Sequence, residues 1–344
     1  MNNFQINIYL SAFFALGLSI IFNYLIFTLT KNKNYQNNSK EVRLSKRNVP
    51  PLGGIAIALS FLVSVRLLGQ ADSNFITIGL FGVAIALLGA FDDFFNLNWK
   101  IKLFFQILFV TVPIASLNVF LNFESMIGLD LNNSLNIFIS TLWIVLLINS
   151  INFIDNMDGL AVVITGGISI QIVVLTYIFS QNKLTDISVI LLFTILGFFV
   201  FNFPPARLYL GDSGSLFIGF LLGFVSILFT WNNADNQILS YVISPIVLFF
   251  TIPLLDFFVI MHYRISNKLS PTTGGTDHIS HRLLALGFSE KKVLFLFFIY
   301  SVINFLLIIC FVILEGWLSV FSFLLYVLQL IAMFNYLKKL KILS

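Results

Sequence analysis

Six aspartates stand at or near the ends of otherwise apolar segments: Asp92 and Asp93 in GAFDDFFNLNWK, Asp155 and Asp158 in NSINFIDNMDGLA, Asp212 in PPARLYLGDSGSLF and Asp256 in PLLD. An ionised group at the centre of an apolar membrane helix costs about 2.5–3.5 kcal/mol on insertion scales, so each needs a partner or a purpose. Asp155 and Asp158 are three residues apart and share one face if their helix persists, with Asn152 a further turn behind. Carboxylates gathered on one face need a cation. Neighbours on a helix point about 100° apart, so Asp92 and Asp93 cannot both reach one ligand directly, and one of them is expected to hold a different partner. Hard oxygen donors, in a chain with 3 histidines and 1 cysteine, favour magnesium or manganese over zinc, and magnesium is commonly held by one or two carboxylates plus substrate phosphates. A single aspartate at a helix end is equally well explained as a cap or a solvated group. The whole set on one side is not.

Three further segments could grip an anion. In GDSGS, Asp212 or Ser213 can cap a helix whose glycines let backbone amides approach a phosphate, although Asp-Ser-Gly is also an ordinary turn. In VPPLGG, prolines set a turn and glycines permit close packing or close ligand approach, and a plain helix start fits as well. In TDHISHRLLALGF, His278 and His281 are three apart and form with Arg282 a patch able to hold a phosphate, where a solvated loop is the bland alternative. Arg207 and Asp277 come from loops on the same side.

The elements that must position these groups are read from hydropathy. Among 344 residues 58% are hydrophobic and 10% charged, and the mean hydropathy is +0.98. That is too little charge to cover a water-facing surface, which excludes a soluble protein and leaves a polytopic, all-α integral membrane protein formed as one unit over 1–344. A spanning helix needs about 20 apolar residues, and eleven such stretches are predicted, near 7–30, 51–69, 75–91, 102–121, 135–153, 159–179, 187–202, 213–230, 239–261, 293–313 and 316–337. The first reads as a retained helix and not as a removed signal peptide. On this layout every one of the 19 Lys and Arg except Arg66 and Lys183 falls on one side, which puts the N-terminus outside and the C-terminus in the cytoplasm. The opposite loops carry no cluster of ionisable groups. Cys310 alone excludes a disulfide framework or a CxxC metal site, and basic residues scattered through short loops exclude nucleic-acid binding.

VPPLGG, FDD at 91–93, NFIDNMDGLA at 152–161, FNFPPARLYLGDSGSLFIGF at 201–220, PLLD at 253–256 and DHISHRLLALGFS at 277–289 follow one another on alternate, cytoplasmic loops. In this order they resemble the polyprenyl-phosphate N-acetylhexosamine-1-phosphate transferases, which start bacterial cell-wall, teichoic-acid and O-antigen glycans. Eleven helices with the N-terminus outside resemble the branch using UDP-N-acetylglucosamine more than the ten-helix peptidoglycan translocase. The resemblance implies a bacterial cytoplasmic membrane enzyme whose site faces the cytoplasm, with UDP-N-acetylhexosamine and polyprenyl (undecaprenyl) phosphate as substrates, magnesium or manganese as cofactor, and a homodimer as its assembly. It implies that Asp92 and Asp93 lie beside the lipid phosphate, one accepting its proton. It implies that Asp155 and Asp158 lie near metal and nucleotide, with Asp212 and Asp155 as metal ligands. Asn152 and Asn202 match positions near the nucleotide, Tyr209 one that stacks on uracil, and Arg207, His278, His281 and Arg282 the loops that hold donor phosphates. Many relatives carry HxHH where this chain has His278, Ile279, Ser280 and His281, a departure that bears on the sugar. The neutral residues Thr272, Thr273, Thr276 and Ser280 are expected to read it.

A proton- or ion-coupled transporter is the competing class, since intramembrane carboxylates also mark ion pathways. A carrier predicts mid-membrane polar residues reachable from both sides and a repeat between halves, and this chain has neither.

Overall fold

The computed structural model describes residues 3–31, 49–67, 73–121, 132–229, 245–270 and 275–339. Every regular element among them is a helix: α1 (Asn3–Thr30), α2 (Gly53–Leu67), α3 (Ser73–Phe95), α4 (Trp99–Leu117), α5 (Asn133–Ile154), α6 (Leu160–Ile178), α7 (Asn182–Asn202), α8 (Gly211–Leu228), α9 (Pro245–Leu248), α10 (Thr251–Ser266), α11 (Ile279–Ala285), α12 (Glu290–Ile313) and α13 (Gly316–Lys339). The expected all-α membrane architecture stands, because in lipid a helix satisfies each backbone N–H and C=O within its own segment. Among the described residues nine helices are long and apolar enough to cross a membrane, namely α1, α3 to α8, α12 and α13. The second expected stretch is a helix of 15 residues, and of the ninth the described part is α9, a turn at 249–250 and α10.

Helix α8 is the centre of the bundle, with α2, α3 and α5 packed along it. Two glycines make that possible at its first turn. A Cβ on Gly89 of α3 would stand 2.5 Å from Ser213 N, and one on Gly54 of α2 would stand 2.5 Å from the Ser213 carbonyl carbon. The VPPLGG segment is also stitched to the chain entering α8: Tyr209 N donates to Pro50 O at 3.0 Å, Gly53 N to Tyr209 O at 3.0 Å and Gly54 N to Leu210 O at 3.1 Å. Its glycines thus serve close backbone packing and start a helix at once.

Two helix ends matter for the site, the first three residues earlier than the expected 102 and the second within one residue of the expected 153. Helix α4 begins at Trp99, where the Asn98 side chain accepts from Lys100 N, so Lys102 lies in its first turns. Helix α5 ends at Ile154 with Asp155 as C-cap, and Gly159 at φ 75° precedes α6. Asp155 and Asp158 therefore occupy a turn and do not share a helical face, because the helix stops before the three-residue spacing can act.

Candidate active site

The ends of α3 and α5 and the starts of α4 and α8 converge. Lys102 Nζ lies 2.8 Å from Asp92 Oδ2 and is also bonded to Asp212 Oδ2, so one ammonium bridges two carboxylates from helices far apart in the chain. The side chains of Asp92, Lys102 and Asp212 keep 17%, 15% and 16% exposure, enough to be reached from outside. Asn152 Nδ2, from α5, donates to Asp212 Oδ1 at 2.8 Å and to Ser215 Oγ at 2.9 Å. Asp92 Oδ1 accepts from Leu97 N at 2.7 Å just beyond α3.

Asp93 does different work from its neighbour. Its Oδ1 accepts from Asp212 N at 3.1 Å and its Oδ2 from Ser213 N at 3.4 Å, so it caps the positive end of α8 from another helix. The separation of about 100° between adjacent helical residues thus gives the pair two partners, as their spacing predicts.

The turn after α5 is tied to the loop before α8. Asp158 Oδ2 accepts from Ala206 N at 2.9 Å, Asn202 Oδ1 accepts from Gly159 N at 2.9 Å, and Asn202 Nδ2 donates to Leu208 O at 2.8 Å. Asp155 is buried on that turn. Arg207 is exposed on the loop. Tyr209 is 1% exposed, with its ring in a small cluster with Val49 and Ala206, so the ring expected to stack on a base is enclosed by protein.

A second cluster closes the site from α10 and α11. Arg264 Nε and Nη2 donate to Asp277 Oδ2 and Oδ1 at 2.7 and 2.9 Å, a bidentate pair. Burial alone would raise the Asp277 carboxyl, but the hydrogen bonds and charge of Arg264 outweigh it and hold that carboxyl below the usual carboxylate range. Asp256 holds His278, the N-cap residue of α11. Arg282 Nε donates to Asp277 O at 2.9 Å and its Nη1 to Leu337 O at 2.7 Å, so much of the guanidinium expected on a phosphate ties α11 to α13. His281 is fully buried, and burial, with the His278 charge beside it, pushes it down to about 4. A ring neutral near pH 7 is not a cationic grip. Ser280 Oγ donates to Asn156 Oδ1 at 2.5 Å and is thus a clamp to the α5 turn, not a free reader of sugar. Thr272 and Thr273 lie outside the described residues. Phe153, next in the chain to Asn152, lies against this second cluster, 6.1 Å from the His278 ring and under Arg264 at 5.8 Å.

The model for glycosyl transferase family 4 matches residues 75–230, which contain all five aspartates from Asp92 to Asp212 named above. A probable undecaprenyl-phosphate N-acetylglucosaminyl 1-phosphate transferase of Bacillus subtilis is 30% identical over 286 residues, covering 79% of this chain and 76% of that protein. The chain belongs to glycosyl transferase family 4. A decaprenyl-phosphate N-acetylglucosaminephosphotransferase of Mycobacterium leprae is 27% identical, over 73% of this chain and 70% of its own length. A phospho-N-acetylmuramoyl-pentapeptide-transferase of Endomicrobium trichonymphae is 29% identical, over 78% of this chain and 81% of its own. With its apolar helices, this family 4 chain is a multi-pass membrane protein.

Sequence reasoning missed Lys102, which counted only as one basic residue in a topology argument. The available signal was its place in WKIKLFFQ, since an ammonium inside an apolar helix needs a partner as much as a carboxylate does. Arg264 and Asn156 were missed with no comparable signal, because their partners are set by a loop returning through space.

Proposed function

We propose that this family 4 chain transfers N-acetylhexosamine 1-phosphate from a UDP-sugar to polyprenyl phosphate and releases UMP. The observation that carries the reading is the pair of carboxylates, Asp92 and Asp212, facing one ammonium at the end of a bundle of apolar helices. Phosphoryl transfer asks mainly for positioning and charge stabilisation, which such a cluster supplies, whereas a transporter would need a mid-membrane path. The names of the relatives, all transferases of phosphorylated amino sugars, favour the same class.

A divalent metal fits the residues present. Among the described residues no three His, Cys, Asp or Glu side chains form a cage, but magnesium needs only one or two carboxylates with substrate phosphates. Lys102 already marks the point between Asp92 and Asp212 where positive charge is demanded. Asp212 would hold the ion with Asp155, two carboxylates that substrate phosphates complete; when bound, magnesium or manganese would supply positive charge to offset the diphosphate.

In the reaction, an oxygen of the lipid phosphate attacks the sugar-bearing phosphorus, the bond from that phosphorus to the bridging oxygen breaks, and UMP departs with the electron pair. A phosphate monoester has a second pKa of about 6 and is largely dianionic at neutral pH, so Asp92 need accept a proton only from the minority monoanion. Lys102 draws the lipid phosphate to Asp92, Asn152 holds Asp212 in place, and Asp93, Asp158 and Asn202 keep the surrounding turns in register. His278 and Arg207 face the donor diphosphate. The lipid tail enters sideways between apolar helices.

Eleven spans, an outer N-terminus, a cytoplasmic site in the bacterial inner membrane and one functional unit complete the proposal. A homodimer is the assembly proposed with them. The test is UMP release by purified protein from UDP-N-acetylglucosamine and UDP-N-acetylgalactosamine. Release should require both polyprenyl phosphate and a divalent cation, and turnover without the lipid phosphate would sink the reading. Reporter fusions after residues 98 and 270 should be cytoplasmic and one near 128 external; a cytoplasmic 128 fusion would reverse the assigned side.

A further inference from the structure

Asp256 is 2% exposed, lies outside the carboxylate and lysine layer, and has both oxygens engaged by one short segment. Its Oδ2 is 2.9 Å from His278 Nδ1, and its Oδ1 accepts from Ile279 N at 2.8 Å. A carboxylate only accepts, so Nδ1 must carry the hydrogen of that contact, and the ring is left to present Nε2. The same two bonds set the ring's rotation and seat the start of α11. Phe153 stands edge-to-face with the ring at 6.1 Å and His281 at 5.5 Å, which confines it on two more sides. The imidazole is therefore held in one direction, with Nδ1–H on Asp256 and Nε2 turned away from it, a degree of control that a bond serving only to join two helices would not need.

We propose that Asp256 is a positioning residue for the transfer reaction, acting through His278: the carboxylate accepts from Nδ1–H and faces the positive charge of a ring that carries both hydrogens, so that Nε2–H donates to the donor diphosphate. The inference rests on the reading of His278 as a diphosphate contact. Two donors, Nδ1–H and Ile279 N–H, meet two acceptor oxygens. In Asp256→Asn only one acceptor remains and the negative charge is gone, so either Ile279 N–H is left unpaired or His278 gives up its Nδ1 hydrogen, accepts there and loses its positive charge toward the diphosphate. The side chain's shape is kept while the control of the ring is lost. A carboxylate behind an imidazole is worth on the order of 10–100-fold at metal sites, and a loss of that size is expected here.

The experiment is a double-mutant cycle in full-length protein in lipid nanodiscs, with Asp256→Asn, His278→Gln and the double variant, read as kcat/KM for the UDP-sugar and KM for polyprenyl phosphate. Asp256→Asn should lower kcat/KM for the UDP-sugar about 10–100-fold and leave the lipid KM unchanged. In the His278→Gln background the same change should cost less than about 2-fold, because its route of action is gone. Additive losses, or equal damage to both substrates, would show a merely structural role and overturn the proposal. Should Asp256→Asn fail to accumulate as folded protein, Asp256→Glu, which keeps both acceptors but moves them, takes its place. Its smaller loss must likewise vanish with His278→Gln. Wild-type protein that releases no UMP would overturn the transfer reading itself, whereas wild-type turnover with an additive cycle would overturn only the role of Asp256.

Discussion

Two charged clusters flank the end of α5, one held by Asn152 and the other against Phe153, and they are built on opposite plans. In the first, two carboxylates share one ammonium, and the linked residues lie as far as 110 apart in the chain. In the second, Asp277 has Arg264 and Asp256 has His278, each one to one, at separations of 13 and 22 residues. The first stays partly open at 15–17% side-chain exposure, while Arg264, Asp277, His278 and Asp256 are at 9% or less. An under-neutralised, reachable cluster is suited to receive a cation and its anionic substrate. A closed and paired one is suited to hold geometry, since breaking a buried pair is costly while its net stabilisation is modest. The contrast separates the part of the molecule that meets substrate from the part that keeps it aligned.

The strongest way to break this contrast is Asp212→Asn. It removes the carboxylate shared by Lys102 and Asn152, and turnover should fall by about 10³-fold, the scale of a lost electrostatic stabiliser, with thermal stability near wild type. Near-normal UMP release from the folded variant would remove the metal role from this cluster. In the paired cluster the effect should be reversed in kind. Arg264→Gln leaves Asp277 buried without its cation, at a cost of about 3–5 kcal/mol, seen as a lower thermal midpoint, while kcat per folded molecule changes little; partial recovery in the Arg264→Gln, Asp277→Asn double variant is the control. Unchanged stability would mean the pair holds nothing.

A sharper division runs through adjacent residues. Asp93→Asn weakens a cap and should cost about 0.5–2 kcal/mol of stability with a modest loss of rate, whereas Asp92→Asn should leave stability nearly intact and reduce the rate more. Equal profiles for the two would erase the distinction drawn from their partners. The effect that is smallest at neutral pH is the acid sensitivity of His281. His281 is pushed down to about 4 in the folded protein, so between its ordinary value of about 6.5 and 4 the unfolded chain binds the extra proton. Stability is then full above about pH 6.5 and declines as pH falls through that window, by about 3 kcal/mol. His281→Phe should flatten this decline in thermal-midpoint measurements from pH 7.5 to 4.5, and an unaltered slope would assign it to other groups.

Much of the site was legible because charge in an apolar helix is conspicuous. Asp92, Asp93, Asp155, Asp158 and Asp212 stood out by that test alone. Their roles were less legible. Asp155 and Asp158 read as one helical face only while α5 continued, and the helix ends at Ile154. Ser280 and Arg282 read as donor contacts from their polarity, yet their partners are Asn156 and the carbonyls of Asp277 and Leu337. Tyr209 read as a stacking ring and is enclosed.

By itself the sequence determined the solvent, the secondary structure and the residues that cannot be idle, because hydropathy and the cost of burying charge are properties of local composition. Only the tertiary structure decided which of those residues meet. Lys102 bridges Asp92 and Asp212, Asp93 caps a helix that begins 118 positions later, at Gly211, and Asp256 takes hold of His278. Each of these contacts joins elements whose approach is set by how closely backbones can pack, at Gly54 and Gly89 above all. Spacing along the chain carries no record of that approach, since the partner's distance in sequence is free to vary while its distance in space is fixed by the fold.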